Sequence, residues 1–167
     1  MATLDVIVQE NIRLVYNARF ELMNQNGFDY TFTLSIDITD KSRDYSKDET
    51  SKIKLIVNEL MANALKAIYG VSEPRNAPNH EELKEISGKI EFKVYEQGGN
   101  YVLSCKDDGS GIPDEIKPKI FVDRFSTRGT SGVGLLLMKK YVESLAGRVY
   151  FETEVNKGTT FYVELPK

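Results

Sequence analysis

The sequence predicts an α+β protein, a two-layer α/β sandwich in which helices cover one face of a mixed, mainly antiparallel sheet of about five strands. Two kinds of segment indicate this class. Five segments alternate apolar and polar residues as half-buried strands do, and two principal segments repeat apolar residues at helical spacing. The length of 167 residues is that of one domain, which can bury a core without disulfides or a structural metal.

The first half of the chain is predicted to contain two helices and one strand. Apolar residues recur at helical spacing over 4–26, and Asn26-Gly27 ends that helix. Residues 30–38 alternate, which predicts a half-buried strand. A polar loop then precedes a helix over 48–68, which is apolar on most of its circumference and is therefore expected to be buried. These limits divide the chain into an N-terminal helix, 1–28, and a main domain, 29–167.

The second half of the chain is predicted to supply four more strands, arranged as two hairpins. Two helices and two loops separate the hairpins, and each hairpin has a glycine-containing turn. In chain order the predicted elements are a short helix at 81–86, a hairpin of 89–96 and 101–107, a short helix at 114–121, a flexible segment at 126–132, a helix that ends at 145, and a hairpin of 148–155 and 159–165.

Composition and charge exclude several classes of function. The net charge of −3 gives no broad basic field, so neither nucleic acid nor a membrane surface is expected as a partner. The sequence has no run of about 18 apolar residues, and Asp5 and Glu10 lie where a signal peptide needs basic and then apolar residues. The single Cys105 and the single His80 exclude an intrachain disulfide and an ordinary zinc site. A cytoplasmic protein is expected.

The predicted buried helix carries a first candidate site. Glu59, Asn63 and Lys66 are spaced i, i+4 and i+7, so they share one stripe of the helix. One interpretation is a helical salt bridge beside an asparagine on a solvated edge. The other is a metal–phosphate site, in which the amide oxygen binds Mg²⁺, the ammonium binds phosphate and the carboxylate contacts a water. The spacing favours neither.

A second candidate site follows the third predicted strand, in Asp107-Asp108-Gly109-Ser110-Gly111-Ile112-Pro113. Asp107 continues the apolar face of its strand, and the glycines allow a backbone or a flat ligand to approach closely. A carboxylate on an otherwise apolar wall suits an exocyclic amine such as adenine N6. The alternative is an ordinary polar turn with an Asx motif.

Two further glycine motifs precede a helix and a strand. Gly132 and Gly134, in the segment 128–135, leave backbone N–H groups at a helix N-terminus, where phosphate is a natural ligand. The alternative there is a flexible helix start capped by Ser131. Gly158-Thr159-Thr160-Phe161, taken alone, is a hairpin turn followed by β-forming residues.

These motifs follow one another in a fixed order: Glu59-x-x-x-Asn63-Ala64-x-Lys66, Asp107-x-Gly109-x-Gly111-Ile112, Phe121…Phe125, Gly132-x-Gly134-Leu135 and Gly158-Thr159-x-Phe161. The ordered set resembles the catalytic ATP-binding domain of sensor histidine kinases, in the ATPase superfamily shared with gyrase and MutL. Over roughly 30–167 the resemblance implies a Bergerat-type sandwich that holds ATP and Mg²⁺ between the helix that carries Glu59 and a mobile lid, the segment 126–132.

The resemblance also implies a role for each matching residue. Asn63 would ligate Mg²⁺, Glu59 would lie near the γ-phosphate or its water, and Lys66 would approach phosphate. Asp107 would accept a hydrogen bond from adenine N6. The other implied nucleotide contacts are Gly109, Gly111 and Ile112 at the base, Arg128, Ser131, Gly132, Val133, Gly134 and Leu135 at the phosphates, and Thr159 or Thr160 behind the adenine.

Two functions are compatible with the resemblance. The first is the ATP-binding part of a histidine kinase, which transfers the γ-phosphoryl to a histidine on another domain or chain, with a response regulator as a further partner. The second is a stand-alone module similar to anti-sigma-factor serine kinases, which binds a regulated protein. Lys66 and the short lid favour the first. His80 is expected on a surface loop and is not expected to accept the phosphoryl group. The segment 4–26 is compatible with the end of a dimerisation helix, and equally with the start of a stand-alone protein.

Overall fold

Five strands form one sheet in the computed structural model, which describes residues 1–122 and 133–167. The strand order is β1-β2-β3-β5-β4, with β1 parallel to β2 and all other neighbours antiparallel. The predicted mixed, mainly antiparallel sheet is thereby confirmed. The strands are β1 (Tyr30–Asp37), β2 (Gly88–Gln97), β3 (Asn100–Asp107), β4 (Arg148–Glu154) and β5 (Gly158–Pro166).

The helices differ from the prediction in three places. The N-terminal segment is not one continuous α-helix, because a π-helical stretch, Ile12–Asn17, separates α1 from α2. The short helix predicted at 81–86 begins one residue earlier and lasts one turn. The short helix predicted at 114–121 is only a 3₁₀ turn, Lys117–Lys119, because Pro118 has no N–H for an α-helical bond. The α-helices are α1 (Leu4–Asn11), α2 (Ala18–Gln25), α3 (Lys47–Tyr69), α4 (His80–Leu83) and α5 (Val133–Ser144).

The long helix α3 has strong signals at both ends. A capping box starts it: the N–H of Glu49 donates to Ser46 Oγ at 3.2 Å, and the N–H of Ser46 donates to Glu49 Oε2 at 2.8 Å. Gly70, with a φ of 82°, ends it and donates its N–H to the carbonyl of Lys66. These two ends fix where α3 begins and where it stops.

The hydrophobic core lies between the helices and one face of the sheet. Buried side chains of α3 pack against the inward residues of the strands, and α1 and α2 add their own apolar face to the same core. The ring centroid of Phe20 in α2, for example, lies 4.8 Å from those of Tyr30 and Phe32 in β1. Within the described part of the chain, no helix is long and apolar enough to cross a membrane.

Candidate functional site

The stripe predicted on α3 forms a connected polar group. Asn63 donates its Nδ2–H to Glu59 Oε1 at 3.3 Å. Burial raises the pKa of the Glu59 carboxyl, while the charge of Lys66 and the Asn63 hydrogen bond act in the opposite direction. Because the bond uses the amide nitrogen of Asn63, its amide oxygen is the atom that can ligate a cation.

The start of α5 lies directly against this stripe. A Cβ atom added at Gly134 would collide with the carboxylate of Glu59, so any larger residue at this position would displace that carboxylate. The structure therefore brings the third motif to the first. Val133 is the first residue of α5, and Leu135 is partly buried against the core. Arg128, Ser131, Gly132 and the whole segment 126–132, for which a lid was predicted, lie outside the described residues.

Asp107, the last residue of β3, is a buried carboxylate. It is 3% exposed, and burial raises its pKa to about 6 although the N–H groups of Gly109 and Thr159 donate to it. The Gly109 bond is 2.9 Å long. The next residue, Asp108, points elsewhere and accepts from the N–H of Lys89 at 2.7 Å. The Asp107 carboxylate, at the core-facing side of the sheet, therefore accepts backbone hydrogen bonds and can accept more.

The glycine-rich loop after β3 lies between the end of α3 and the β4–β5 turn. Ser110 donates its N–H to the carbonyl of Ala67 at 3.0 Å and accepts from the N–H of Asn156 at 2.8 Å. An added Cβ would collide with the backbone of Ala67 at Gly109, and with that of Glu154 at Gly111, whose φ is 71°. Both glycines are therefore needed to bring the loop to these backbones.

Sequence reasoning missed Thr153 of β4. Its Oγ1 accepts from the N–H of Ile112 at 2.9 Å and lies 2.8 Å from Thr159 Oγ1. Thr153 pairs with Thr159, and Thr159 pairs with Asp107, so the three residues occupy one row of the sheet. The strand register was the signal that could have identified Thr153. Thr160 is on the opposite face, where its neighbours are Lys106 and Glu152, and the structure does not bring it to Asp107.

His80, the single histidine, lies away from these residues at the start of α4. Its side chain is 45% exposed, and Nε2 lies 3.2 Å from Glu81 Oε1. Nδ1 lies 3.0 Å from the carbonyl oxygen of Ala77. His80 is the first residue of the four-residue helix α4, whereas a surface loop was expected.

A comparison with protein families agrees with this arrangement. The family described as histidine kinase-, DNA gyrase B- and HSP90-like ATPase matches residues 48–167. The chain belongs to this ATPase family. The predicted resemblance to the catalytic ATP-binding domains of sensor histidine kinases is thereby confirmed, and the matched region contains all the glycine motifs as well as Glu59, Asn63 and Lys66.

The relatives of this ATPase domain include kinases and an anti-sigma factor. It is 34% identical over 120 residues to a probable C4-dicarboxylate sensor kinase of Halalkalibacterium halodurans, covering 71% of this chain and 20% of that protein. It is 32% identical over 123 residues to the anti-sigma F factor of Geobacillus stearothermophilus, covering 72% of each chain. The ATPase domain thus spans a fifth of the sensor kinase and most of the anti-sigma factor.

Solved structures of one histidine kinase, ThkA, share the fold. Its catalytic domain superposes with a TM-score of 0.69 and 26% identity, over 99% of this chain and 93% of that one. A complex of ThkA with the response regulator protein TrrA gives the same TM-score at 25% identity, and the match covers 40% of that ThkA chain. Because 99% of this chain is aligned, the match includes α1 and α2.

Proposed function

We propose that this ATPase domain binds Mg-ATP and transfers the γ-phosphoryl group to a histidine of another domain or chain in two-component signalling. The observation that carries the proposal is the contact of Glu59 with Asn63 and with the backbone of Gly134, on the fold of an ATPase family. ATP as the substrate supports a cytoplasmic location. We assign 29–167 to the ATP-binding domain and 1–28 to a helical segment packed against it.

The adenine end of the proposed site is the row that contains Asp107. Its carboxylate accepts two backbone N–H groups and has lone pairs left for adenine N6. Gly109, Gly111 and Ile112 shape the base pocket, since the close approach of the two glycines to neighbouring backbones fixes the path of the loop. Thr159 backs the base, and its hydroxyl is held by Thr153.

The phosphate end of the proposed site is the stripe on α3. The amide oxygen of Asn63 is a hard ligand that fits Mg²⁺, which supplies charge neutralisation at the phosphates. Lys66 approaches a phosphate oxygen, and Glu59 faces the γ-phosphate or its water. Burial raises the pKa of the Glu59 carboxyl, so this carboxylate takes up a proton more readily than an exposed one. The remaining phosphate contacts that we propose are Arg128, Ser131, Gly132, Val133, Gly134 and Leu135.

The transfer itself requires mainly positioning and charge neutralisation from the protein. An imidazole nitrogen of the acceptor forms a bond to the γ-phosphorus while the bond between that phosphorus and the bridging oxygen breaks, which releases ADP. The complex of ThkA with a response regulator supports such a regulator as a downstream partner.

A second candidate function is favoured by the match to the anti-sigma F factor. That match covers 72% of both chains, whereas the sensor kinase extends far beyond the alignment. In this candidate the ATPase domain binds a regulated partner protein and phosphorylates a serine. The residues that hold Mg-ATP are the same in both candidates, so only the acceptor distinguishes them.

The test incubates the chain with γ-³²P-labelled ATP, alone and with candidate acceptor domains. Acid-labile label on a histidine of the acceptor supports the histidine kinase, and acid-stable label on a serine supports the second candidate. Asn63→Ala is the control, because it removes the proposed Mg²⁺ ligand and should abolish labelling of either kind. A chain that binds no ATP in the presence of Mg²⁺ would contradict both candidates.

A further inference from the structure

Two side chains from the N-terminal helical segment hold the residue that precedes Glu59. Asn11 donates its Nδ2–H to the side-chain oxygen of Asn58 at 3.0 Å, and the Tyr16 hydroxyl donates to the Asn58 carbonyl at 3.0 Å. Asn11 is 5% exposed and Tyr16 is 3% exposed. We call Asn11, Tyr16 and Asn58 the Asn58 clamp. It joins two helical segments that are far apart in the sequence.

The hydrogen bond of Tyr16 is not a general property of tyrosines in this core. Tyr30, Tyr45 and Tyr69 also bury their hydroxyls, and among residues 1–122 and 133–167 those three hydroxyls have no hydrogen-bond partner. A buried hydroxyl or amide is costly without a partner, and Asn11 and Tyr16 satisfy theirs on the same residue of α3. The clamp is therefore a specific polar contact between the N-terminal helical segment and α3, whose other buried residues are apolar.

Tyr16 also lies in an unusual piece of backbone. Residues Ile12–Asn17 are π-helical, between the α-helical α1 and α2. Short π-helical stretches are rare and are frequently found at functional sites. Burial raises the pKa of Tyr16 to about 12, while the Arg19 charge lowers it and the Glu59 charge adds to the rise.

The clamp acts on the position of α3 as a rigid body. Glu59, Asn63 and Lys66 share one stripe, so any rotation of α3 about its axis, or any slide along it, moves all three. The apolar contacts of α3 are non-directional, whereas hydrogen bonds depend on angle and distance. Two hydrogen bonds to Asn58 therefore fix the rotation and the register of the helix next to Glu59.

We propose that Tyr16 and Asn11 are positioning residues for phosphoryl chemistry: through Asn58 they hold the α3 stripe so that Glu59 and Asn63 face the phosphates and their Mg²⁺. This inference rests on the proposed function of the same site. It adds the N-terminal helical segment, which precedes the matched family region of 48–167, to the groups on which the site depends.

The test compares Tyr16→Phe with Tyr30→Phe in the full chain. Each change removes one buried hydroxyl from a ring that packs on Phe20; the centroid distance is 5.7 Å for Tyr16 and 4.8 Å for Tyr30. Of the two hydroxyls, only that of Tyr16 has a hydrogen-bond partner among the described residues. The first readout is the NMR signal of the Asn63 side-chain amide, which needs no ligand. We expect Tyr16→Phe to shift this signal and Tyr30→Phe to leave it in place.

The second readout is the gain in affinity that Mg²⁺ gives to a non-hydrolysable ATP analogue, with adenosine as the reference ligand. Tyr16→Phe should reduce this gain about fivefold to tenfold, the loss expected for one hydrogen bond, while adenosine affinity stays within about twofold. Tyr30→Phe should change neither quantity. If Tyr16→Phe does not fold, Asn11→Ala, which breaks the other bond of the clamp, is measured in the same way.

Equal effects of the Tyr16 and Tyr30 changes on both readouts would overturn the inference, because Tyr16 would then contribute only to packing. If the unmutated chain shows no Mg²⁺-dependent gain, the proposed function fails. The NMR comparison still decides whether the clamp positions Asn63, since that comparison does not require nucleotide.

Discussion

Asp107→Asn is the sharpest test of the adenine end of the site. The substitution keeps the shape of the side chain but turns one acceptor oxygen into an NH₂ donor. The carboxylate now accepts from the N–H groups of Gly109 and Thr159, and we propose that it also accepts from adenine N6. An asparagine whose oxygen faces Gly109 places its NH₂ group against another donor, so one buried polar group loses its partner.

The magnitude follows from that unpaired group. Leaving a buried donor without an acceptor costs about 1–3 kcal/mol. If the adenosine complex carries this cost and the free protein does not, the dissociation constant of adenosine rises by about 5- to 150-fold. Discrimination between ATP and GTP should fall in parallel, because the amino group at position 6 of adenine is what the carboxylate recognises.

Isothermal calorimetry with adenosine, Mg-ATP and GTP measures these changes. Asp108→Asn is the matched control, because Asp108 is the neighbouring carboxylate, is exposed, and bonds to Lys89 and not to the Asp107 row. It should leave the adenosine affinity within about twofold. Equal losses in the two variants, or equal affinities of the unmutated protein for ATP and GTP, would refute the role assigned to Asp107.

The raised pKa of Asp107 adds a pH dependence to the same prediction. As the pH falls through about 6, the carboxyl takes up a proton and loses acceptor capacity, so adenosine should bind more weakly below that pH. The pKa in the folded protein exceeds the ordinary value of 3.8, so the folded state binds more protons than the unfolded state between these two values. The contribution of Asp107 to the free energy of unfolding therefore falls as the pH rises from 3.8 to about 6. Asp107→Asn should abolish both dependences.

Three further predictions follow from single contacts. Asn63→Ala should remove the Mg²⁺-dependent part of ATP affinity and abolish phosphoryl transfer, with adenosine affinity nearly unchanged in calorimetry. Gly109→Ala should destabilise the protein by about 1–3 kcal/mol in urea unfolding and weaken adenosine binding, because the new Cβ meets the backbone of Ala67. Gly99→Ala is the control: its φ of 80° strains any side chain, but among the described residues the new Cβ meets nothing beyond its chain neighbours, so binding should be unchanged. His80→Ala should not alter labelling of the chain by γ-³²P-labelled ATP, and loss of a stoichiometric, acid-labile label would contradict the role given to His80.

Local patterns predicted the elements because they depend on nearest neighbours along the chain. The period-two alternation located all five strands, and helical spacing located α3 to within one residue at each end. The same spacing placed Glu59 and Asn63 on one stripe, where the structure joins them by a hydrogen bond. The π-helical stretch at 12–17 was not predicted, since its residues are as compatible with an α-helix.

The sequence by itself determined the family, the order of the elements and the identity of the polar residues on α3, because spacing along a helix or strand is enough to place side chains on a face. Only the tertiary structure decided what meets those faces. The approach of Gly134 to Glu59, the row of Thr153, Thr159 and Asp107, and the bonds of Tyr16 to Asn58 all join segments distant in sequence. Such contacts depend on strand register and on how helices pack over the sheet, which local propensity does not specify.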